Sequence, residues 1–298
     1  MEAVIILVDL SQIMISNVMI QISMGSTRQA FLKESEQDVE YEQGLVRHMI
    51  LNSLRAYRMK FKEQYGELVL CCDTWDYWRK KEFPQYKANR KQSYLTDIID
   101  WDALWGCINT VKDELREFFP YKMIEIPHAE ADDVIGSLVK KMSVHEPILI
   151  LSGDKDFVQL QKHKGTVKQF SPVLKKFITD PDPKKFLHEL IMKGDRSDGV
   201  PNFLSADDTF VSGSRQKQLS KKKLSEWMEM PPKEFCDEKM MYGYSRNQLL
   251  IDLDFVPKEI QKQVYEEFDK EPIGSRNKLM NYFIKKGLKN LTQSIGDF

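Results

Sequence analysis

Short apolar runs alternate with longer amphipathic stretches through the first 180 residues. Four of the runs are rich in Val, Ile and Leu, which is typical of strands buried in a parallel sheet. They span residues 4–8, 68–72, 123–126 and 148–151. A fifth run, 166–170, has an alternating pattern that also predicts a strand.

Helical periodicity fills the intervals between these strands. Val46, Ile50 and Leu54 recur at the spacing of one helical face and predict a helix over 45–61. Similar patterns predict helices over 101–118 and 130–142. The strand–helix alternation indicates an α/β fold with a mostly parallel central sheet flanked by helices.

The pattern changes after Pro172. Pro181 and Pro183 interrupt the chain, and helical segments dominate from about residue 184. We therefore predict an α/β domain over 1–180 and a helical region over 181–298 packed on it.

Polar stretches mark the predicted connections. Residues 24–43 have the composition of a polar loop or a frayed helix. Lys221 to Lys223 and the Pro231-Pro232 pair are predicted to lie in exposed connections.

Composition excludes several protein classes. The 298 residues include four Cys with no Cys-x-x-Cys pair, so reduced thiols and a cytoplasmic location are expected. No His-based zinc motif occurs, no apolar stretch is long enough to cross a membrane, and the first ten residues lack the basic start of a secretory signal. The net charge of −1 argues against nucleic-acid binding only if the charges are evenly spread.

Three of the predicted strands are each followed by an aspartate. Asp9, Asp73 and Asp154 come directly after strands or within a few residues of their ends. One such residue is commonly a turn former. Three are harder to explain in that way, because the carboxyl ends of parallel strands open on one edge of the sheet.

Six more carboxylates accompany these three. Most stand in closely spaced groups, at a helix start or in a strand-end loop. They are Glu130, Asp132, Asp133, Asp156, Asp195 and Asp198. Local capping and turn roles are the alternative for each group.

Carboxylates gathered in one cleft would repel one another unless cations were bound. An all-oxygen donor set favours Mg²⁺, with Mn²⁺ able to substitute. Two such ions suit in-line phosphodiester hydrolysis.

Basic and aromatic residues interleave after the second of these strands. Residues 79–91 contain Arg79, Lys80, Lys81, Lys87, Arg90 and Lys91, with Glu82 as the one acid, and Tyr77, Trp78, Phe83 and Tyr86 lie among or beside them. Such a stretch can hold phosphates and stack on bases, although a charge run is often only a solvated surface. A second basic group could hold duplex backbone farther from the cleft. It consists of Arg215, Lys217, Lys221, Lys222 and Lys223.

The order and spacing of several motifs resemble the 5′-nuclease superfamily of flap endonucleases and 5′→3′ exonucleases. Within it, the chain is most similar to the ribonuclease H branch of T-even-type bacteriophages. The matching segments are 8–12, 45–48, 77–79, 86–90, 130–133, 152–157, 194–198 and 291–298.

The resemblance implies a two-metal centre. Asp9, Asp73, Glu130, Asp132, Asp133 and Asp154 would surround one ion, and Asp156, Asp195 and Asp198 the other. Arg79, Tyr86, Lys87 and Arg90 would lie in an arch or bridge at about 77–95, where the 5′ end and the scissile phosphate meet the protein. Asp9, Asp73, Glu130, Asp133, Asp154, Arg79 and Lys87 would carry catalysis.

The resemblance also implies substrates and partners. A monomer would remove RNA primers and adjacent DNA from RNA–DNA hybrids and from nicked, flap or forked duplexes. A single-stranded-DNA-binding protein and a sliding clamp are the implied replication partners. The phage-infected host cytoplasm is the implied location.

The sequence departs from the family in three places. Gly199 stands where relatives often have Asn, and residues 202–214 contain one glycine where many relatives have a glycine-rich, ion-binding hairpin. Only Met1 to Ala3 precede the first strand, which argues against a clamp-binding tail before it.

Other functions fit less well. A haloacid-dehalogenase-type phosphatase needs a second Asp where Ser11 stands, and nucleotide-binding folds need glycine-rich phosphate loops that the chain lacks. A toxin ribonuclease of related fold would be shorter, with fewer acids. A catalytically silent branched-DNA-binding protein of the same fold is the main alternative, although it would not need the full acid set.

Overall fold

A computed structural model describes residues 5–24, 39–88, 90, 100–143, 146–163 and 165–298, with the side chains of 20–24 and 39–42 left out. The predicted loop or frayed helix at 24–43 lies mostly outside this part of the chain. So do Met1 to Ala3 and most of the C-terminal half of the predicted arch.

A six-stranded sheet forms the centre of the fold. Its strands are β1 (Ile5–Asp9), β2 (Glu67–Cys72), β3 (Lys122–Glu125), β4 (Ile148–Leu151), β5 (Val167–Ser171) and β6 (Lys176–Ile178). The order is β3-β2-β1-β4-β5-β6, and all neighbours are parallel except β5 and β6. The predicted mostly parallel α/β fold is confirmed.

The sequence pattern missed β6. This strand has three residues and no buried side chain, so it lacks the apolar signal of the other strands. Its antiparallel pairing with β5 closes one edge of the sheet.

Helices cover the two faces of the sheet. In the first part of the chain they are α1 (Leu10–Met24), α2 (Val39–Tyr65), α3 (Trp78–Glu82), α4 (Trp101–Phe118) and α5 (Ala131–Met142), with a 3₁₀ helix at Lys155–Lys162. The predicted helices at 45–61, 101–118 and 130–142 correspond to α2, α4 and α5. The sequence analysis missed α1, which follows β1 without a loop.

Helices also dominate the second part of the chain, as predicted. They are α6 (Pro183–Lys193), α7 (Lys221–Trp227), α8 (Pro232–Phe235), α9 (Glu238–Ile251), α10 (Lys258–Phe268), α11 (Arg276–Lys285) and α12 (Lys289–Thr292), with 3₁₀ turns at Leu253–Phe255 and Ile295–Asp297. Lys221 to Lys223 form the first turn of α7, which Ser220 caps. These lysines are exposed, as predicted, but they belong to a helix and not to a connection. Pro232 likewise opens α8.

Alternate residues of the central strand enter opposite cores. Ile6 and Val8 join the cluster under α1, α2 and α4, whereas Ile5 and Leu7 join the cluster under α5. The second part of the chain completes both clusters, through Phe298 on one face and Val264 on the other. The cores therefore continue across residue 180, and the division of the chain at that point stays a prediction.

A third apolar cluster lies between α6, α9 and the loop at 200–204. It also takes in Phe83 and Tyr86, which follow α3. Through Phe83 and Tyr86, the basic stretch that follows β2 packs against the helices of the second part of the chain. Among the described residues, no helix is long and apolar enough to cross a bilayer.

Candidate metal centre

The candidate site lies at the carboxyl edge of the parallel sheet. β1 is paired with β2 on one side and with β4 on the other, so Asp9 at its end is flanked by the ends that lead to Asp73 and Asp154. Asp9 is only 7% exposed. The predicted convergence of strand-end carboxylates therefore follows directly from the strand order.

Hydrogen bonds fix the Asp9 carboxylate in one orientation. Its Oδ1 accepts from the backbone N–H of Gln12 at 3.1 Å, and its Oδ2 accepts from Ser152 Oγ at 3.1 Å. The side chain of Gln12 in turn accepts from the backbone N–H of Gly153. These bonds connect the end of β1 to the loop that carries Asp154.

The start of α5 brings a second group of acids to the same edge. Glu130 and Asp133 form a reciprocal capping box, which satisfies N–H groups that the helix cannot bond internally. The backbone N–H of Ala131 donates to Asp73 Oδ1 at 2.9 Å. The end of β2 and the first turn of α5 are thus joined, with Asp132 between the two capping acids.

The loop after α6 carries the last two acids. Gly194 has φ +69°, and a side chain there would put Cβ 2.4 Å from the carbonyl oxygen of Val200. Gly199 has φ +71°, a conformation that Gly and Asn adopt most readily. A glycine at 199 therefore adopts the conformation of this loop without strain.

One cleft gathers acids from three separate segments. Asp132, Asp156, Asp195 and Asp198 all line it, together with the inner side chains Arg79 and Tyr86. Sequence separation among these acids is large, and the fold alone brings them together.

Basic side chains neutralise about half of the acidic set. Lys155 Nζ lies 2.8 Å from Asp195 Oδ2, and Arg90 Nη2 lies 2.6 Å from Asp198 Oδ1. Glu130 is paired with both Arg79 and Lys87, and Asp133 with Arg79. These acids have cations of the protein itself as partners.

The other acids form no ion pair within the described part of the chain. They are Asp9, Asp73, Asp132, Asp154 and Asp156. One further atom stands out, since Asp156 Oδ1 is buried and has no hydrogen-bond partner. A buried oxygen without a donor is costly to the fold and points to a missing cation or water.

Burial and mutual repulsion disturb the ionisation of these unpaired acids. Burial, together with the charges of Asp73 and Asp154, raises the pKa of Asp9 to about 7. Burial and the charges of Asp154 and Asp9 raise the pKa of Asp132 well above its ordinary value. Burial and neighbouring acids do the same to the pKa of Asp156.

Two of the paired acids, Glu130 and Asp195, have lowered pKa values instead. Burial alone would raise the pKa of Glu130, but Lys87 and Arg79 outweigh it and lower that pKa. Burial also opposes ionisation of Asp195, yet Lys155 and Ser197 lower its pKa. The cleft therefore contains one neutralised group of acids and one group that still lacks positive charge.

A divalent cation fits the unpaired group. Its donors are all carboxylate oxygens, the set that Mg²⁺ and Mn²⁺ prefer, and Asp156 offers an oxygen without a partner. No three acidic, His or Cys side chains of the described residues already stand as ligands of one ion. The protein supplies the donors, and some of them must turn or approach to complete a coordination sphere.

We expect Mg²⁺ to raise the melting temperature more at pH 8 than at pH 5.5. Asp9 ionises near pH 7 in the folded chain and near 3.8 when unfolded, so its burial costs stability as the pH rises between these values. A bound cation needs the ionised form and relieves that cost. Thermal melts with and without Mg²⁺ at both pH values measure the difference, and Asp9→Asn is the control that should reduce it. Equal shifts at both pH values would contradict the expectation.

The Arg79 side chain is buried and is bonded to acceptors of the protein itself. Its side chain is 2% exposed; Nη1 lies 2.9 Å from Glu130 Oε2, and Nη2 lies 2.8 Å from Asp133 Oδ1. Its Nε donates to the carbonyl of Leu250 at 2.8 Å. The guanidinium is thus engaged with acceptors of the protein in this structure, and its contact with nucleic acid stays a prediction.

Asp133 is also bonded to groups of the protein itself. It is fully buried, and besides Arg79 it accepts from Trp78 Nε1 at 3.1 Å and from the backbone N–H of Glu130 at 2.9 Å. In this structure Asp133 is bonded to Arg79 and to the start of α5, and its role as a metal ligand stays a prediction.

Tyr86 and Lys87 sit over the neutralised acids. The Tyr86 hydroxyl lies 3.0 Å from Glu130 Oε2 and 2.9 Å from Asp198 Oδ2, and the ring is 4% exposed. The hydroxyl thus bonds the acids of the cleft in this structure, and the contact of Tyr86 with nucleic acid stays a prediction. Lys87 bonds Glu130 and lies 3.6 Å from Asp198 Oδ2.

Lys87 has an unusual backbone. Its φ of +56° is uncommon for a side-chain-bearing residue, and its N–H donates to the carbonyl of Asp198 at 2.8 Å. Strained residues of this kind concentrate at functional sites. Lys87 and Arg90 thus both lie at the cleft, beside Asp198.

The second basic group is exposed and lies away from the cleft lining. Arg215 and Lys217 belong to the loop before α7, and Lys221 to Lys223 to its first turn. Lys217 is held by its backbone, which bonds Ser205 and Asn202. The proposed contact of this basic group with the backbone of a DNA duplex stays a prediction.

Sequence reasoning missed several residues that build the site. Lys155 pairs with Asp195. Its position between two predicted ligands, Asp154 and Asp156, could have indicated that it lies at the site. Ser152 and Gln12 orient the ends of two strands. Arg246 binds the carbonyls of Pro201 and Ser205 and thereby fixes the loop after Val200, and no local pattern marks that role.

Comparison with known proteins identifies the family. A model of the 5′-3′ exonuclease N-terminal, resolvase-like domain matches residues 24–190. The chain belongs to the 5′-3′ exonuclease family. A second model, described as the C-terminal part of T4 ribonuclease H, matches residues 186–298.

Curated relatives agree with this assignment. The chain is 35% identical to ribonuclease H of Enterobacteria phage T4 over 266 residues, which cover 85% of the chain and 87% of that protein. It is 30% identical over 149 residues to a 5′-3′ exonuclease of Buchnera aphidicola, covering 48% of the chain and 49% of that protein. The resemblance found in the motifs is confirmed.

Solved structures share the fold. The phage T5 D15 protein co-crystallised with metal ions has a TM-score of 0.58 at 13% identity, covering 89% of this chain and 98% of that one. The bacteriophage T5 D15 flap endonuclease in complex with DNA and metal ions has a TM-score of 0.56 at 15% identity, with the same coverage. The similarity confirms a fold of the 5′-nuclease type.

Proposed function

We propose that the chain is a metal-dependent 5′→3′ exonuclease and flap endonuclease with ribonuclease H activity. The observation that carries the proposal is the group of five unpaired carboxylates at the carboxyl edge of the sheet, beside Lys87 and Arg90. Family membership, the likeness to a phage ribonuclease H and the DNA complex of a structural neighbour support it.

We propose two Mg²⁺ ions as the cofactor, with Mn²⁺ able to substitute. Asp9, Asp73, Glu130, Asp132, Asp133 and Asp154 would surround one ion. Asp156, Asp195 and Asp198 would hold the other. Ions bound in this way lower the pKa of water and stabilise charge on phosphate oxygens.

The residues of the chain itself have distinct tasks in this proposal. Ser152 and Gln12 keep the oxygens of Asp9 and the Asp154 loop in place. Arg79 pairs with Glu130 and Asp133 and holds both carboxyl groups in place. Lys87 and Arg90 form ion pairs with Glu130 and Asp198 in the free protein. When a phosphate enters the cleft, the two basic side chains contact that phosphate.

The basic group at 215–223 would hold duplex backbone away from the cut. RNA–DNA hybrids and nicked, flap or forked duplexes are the substrates this arrangement suits. Single-stranded-DNA-binding protein and sliding clamp are proposed partners, and a monomer is the proposed working form. All three follow from the family resemblance.

A cleavage assay tests the proposal. Labelled RNA–DNA hybrid, nicked, gapped and 5′-flap substrates are incubated with Mg²⁺, and EDTA serves as the control. We expect cleavage with Mg²⁺ and none with EDTA. Binding without cleavage of any substrate would instead support the catalytically silent branched-DNA-binding protein.

Lys87→Ala is expected to slow cleavage of flap and nicked substrates by about 10- to 100-fold. The change removes a cation that lies among the acids of the cleft and leaves Arg90 as the remaining side chain of this pair to contact the entering phosphate. Single-turnover rates measure the effect. Lys185→Ala, which removes a surface lysine paired with Glu229, is the matched control and should cleave normally. Wild-type kinetics for Lys87→Ala would refute the role.

Binding to DNA is expected to weaken steeply with salt. Each phosphate neutralised by Lys or Arg releases condensed counterions, with a slope of about −0.9 in log affinity against log salt for each contact. Fluorescence anisotropy from 50 to 300 mM NaCl, in EDTA, gives the slope. Replacing Lys221, Lys222 and Lys223 by Gln should reduce the magnitude of this slope. If the affinity of the unaltered chain did not depend on salt, DNA binding through basic residues would be contradicted.

A further inference from the structure

An exposed tryptophan, Trp75, lies two residues after Asp73 and packs against the half-buried Trp105. Trp75 is 67% exposed, more than any other aromatic side chain in the described part of the chain. Its ring meets that of Trp105 edge to face, with centroids 5.4 Å apart. A large exposed indole is unusual on a protein surface and asks for an explanation.

The position of Trp75 is fixed by the backbone around it. Thr74 bonds the carbonyl of Ala129 through both its N–H, at 3.1 Å, and its hydroxyl, at 2.8 Å. On the other side, Trp78 N–H donates to the carbonyl of His128 at 2.8 Å. Lys80 Nζ donates to the carbonyl of Trp75 itself at 3.2 Å. The indole is therefore held out by an anchored loop.

Trp105 packs against the ring of Trp75. It projects from α4 and packs partly against the core that α1, α2 and α4 share. Because the contact between the two rings is edge to face, it leaves a broad indole surface uncovered. The pair has the form of a rigid aromatic platform, with little side-chain entropy to lose on binding.

The platform stands close to the place where phosphate chemistry would occur. Trp75 follows Asp73 by two residues, and two residues of extended chain span at most about 7 Å. Lys80 and Lys81 follow on α3, where they can meet the phosphates of a strand that passes the ring. Aromatic faces beside basic residues are the arrangement that binds single-stranded nucleic acid.

We propose that Trp75, supported by Trp105, stacks on an unpaired base of the 5′ single strand next to the cleavage site. A base within a duplex already stacks on its neighbours, so only an unpaired base can use the platform. Stacking on an indole tolerates any base, so the contact would distinguish single-stranded from paired 5′ ends without reading sequence. This inference rests on the proposed function and adds a determinant of substrate structure to it.

Binding assays without catalysis test the stacking. The affinities of Trp75→Leu and of the unaltered chain are measured in EDTA for a nicked duplex and for a 5′-flap duplex of the same sequence. Trp75→Leu is expected to weaken flap binding by about 5- to 30-fold and to leave nicked-duplex binding unchanged. Phe255→Leu replaces another exposed aromatic ring and serves as the matched control, and thermal melts verify that each variant is folded.

A second substrate identifies the partner of the ring. An abasic nucleotide placed at successive flap positions should weaken binding of the unaltered chain at one position, by the same factor as Trp75→Leu. At that position, variant and abasic flap together should cost no more than either alone. This non-additivity is the signature of direct stacking.

Three outcomes would overturn the proposal. Equal loss on flap and nicked duplex would mean that Trp75 supports the fold or the duplex site. Unchanged flap binding would leave the platform to a different occupant, such as a partner protein. Absence of DNA binding by the unaltered chain would overturn the proposed function as well, whereas normal binding and Mg²⁺-dependent cleavage with an inert Trp75 would overturn this inference alone.

Discussion

Asp154→Asn is expected to lower the rate of cleavage by about 10³-fold or more while leaving the folded chain at least as stable as before. The substitution removes one negative charge from a group of carboxylates that repel one another. It keeps the shape of the side chain and an oxygen that can still accept from the backbone N–H of Asp156. A site built for a cation and left without one is strained, and removing a charge relieves that strain.

The opposite signs of the two effects make the test specific. A purely structural aspartate would lose stability on mutation and would lose activity only as the chain unfolds. A metal ligand loses several kcal/mol of transition-state stabilisation, and each factor of ten in rate corresponds to about 1.4 kcal/mol. Asp73→Asn should behave in the same way, because it belongs to the same unpaired group.

Three measurements decide the outcome. Single-turnover cleavage of a 5′-flap substrate with Mg²⁺ gives the rate, anisotropy in EDTA gives branched-DNA affinity, and thermal melts give stability. Affinity should stay within about threefold, and the Mg²⁺-induced rise in melting temperature should shrink. Asp269→Asn, a surface acid beside Lys141, is the control. Turnover of Asp154→Asn at the wild-type rate would refute the two-metal assignment.

The parts of the fold with a strong apolar period could be predicted from the sequence. The parallel strands and α4 appear where their buried side chains predict them. β6 escaped because it buries nothing, and α1 escaped because it follows Asp9 with no polar break. Periodicity reports burial, so elements defined mainly by hydrogen bonding or by chain direction carry little signal.

The sequence predicted which acids belong to the candidate site, but not which of them pair with basic residues. Asp9, Asp73 and Asp154 could be placed together because parallel strands share an edge. Which carboxylate would meet a cation depended on long-range contacts, such as that of Lys155 with Asp195 across the cleft. Arg79 looked like part of an exposed basic run, because a linear sequence does not show which side of a short helix is covered by α9.

Arg79→Met is expected to lower the free energy of unfolding by about 3–5 kcal/mol, the cost typical of breaking a buried ion pair by removing one partner. Arg79 alone pairs with Asp133 among the described residues, and it shares Glu130 with Lys87. Met fills much of the volume of the arginine stem, so the loss reports the uncompensated carboxylate of Asp133 and the weakened pairing of Glu130 more than a cavity. Urea denaturation monitored by circular dichroism gives the free energy.

A second substitution separates the charge effect from packing. Asp133→Asn added to Arg79→Met removes one uncompensated carboxylate and should restore part of the lost stability, since a neutral amide is much less costly to bury than an unpaired charge. Arg116→Met is the control on the surface, where the pair with Glu125 is half open to solvent and is worth about 1 kcal/mol or less. A loss for Arg79→Met no larger than that of the control would show that the buried network is not needed for the fold. Recovery in the double variant without recovery of cleavage would separate two tasks of the network, because the fold needs charge balance under the cleft and the reaction also needs Glu130 correctly oriented.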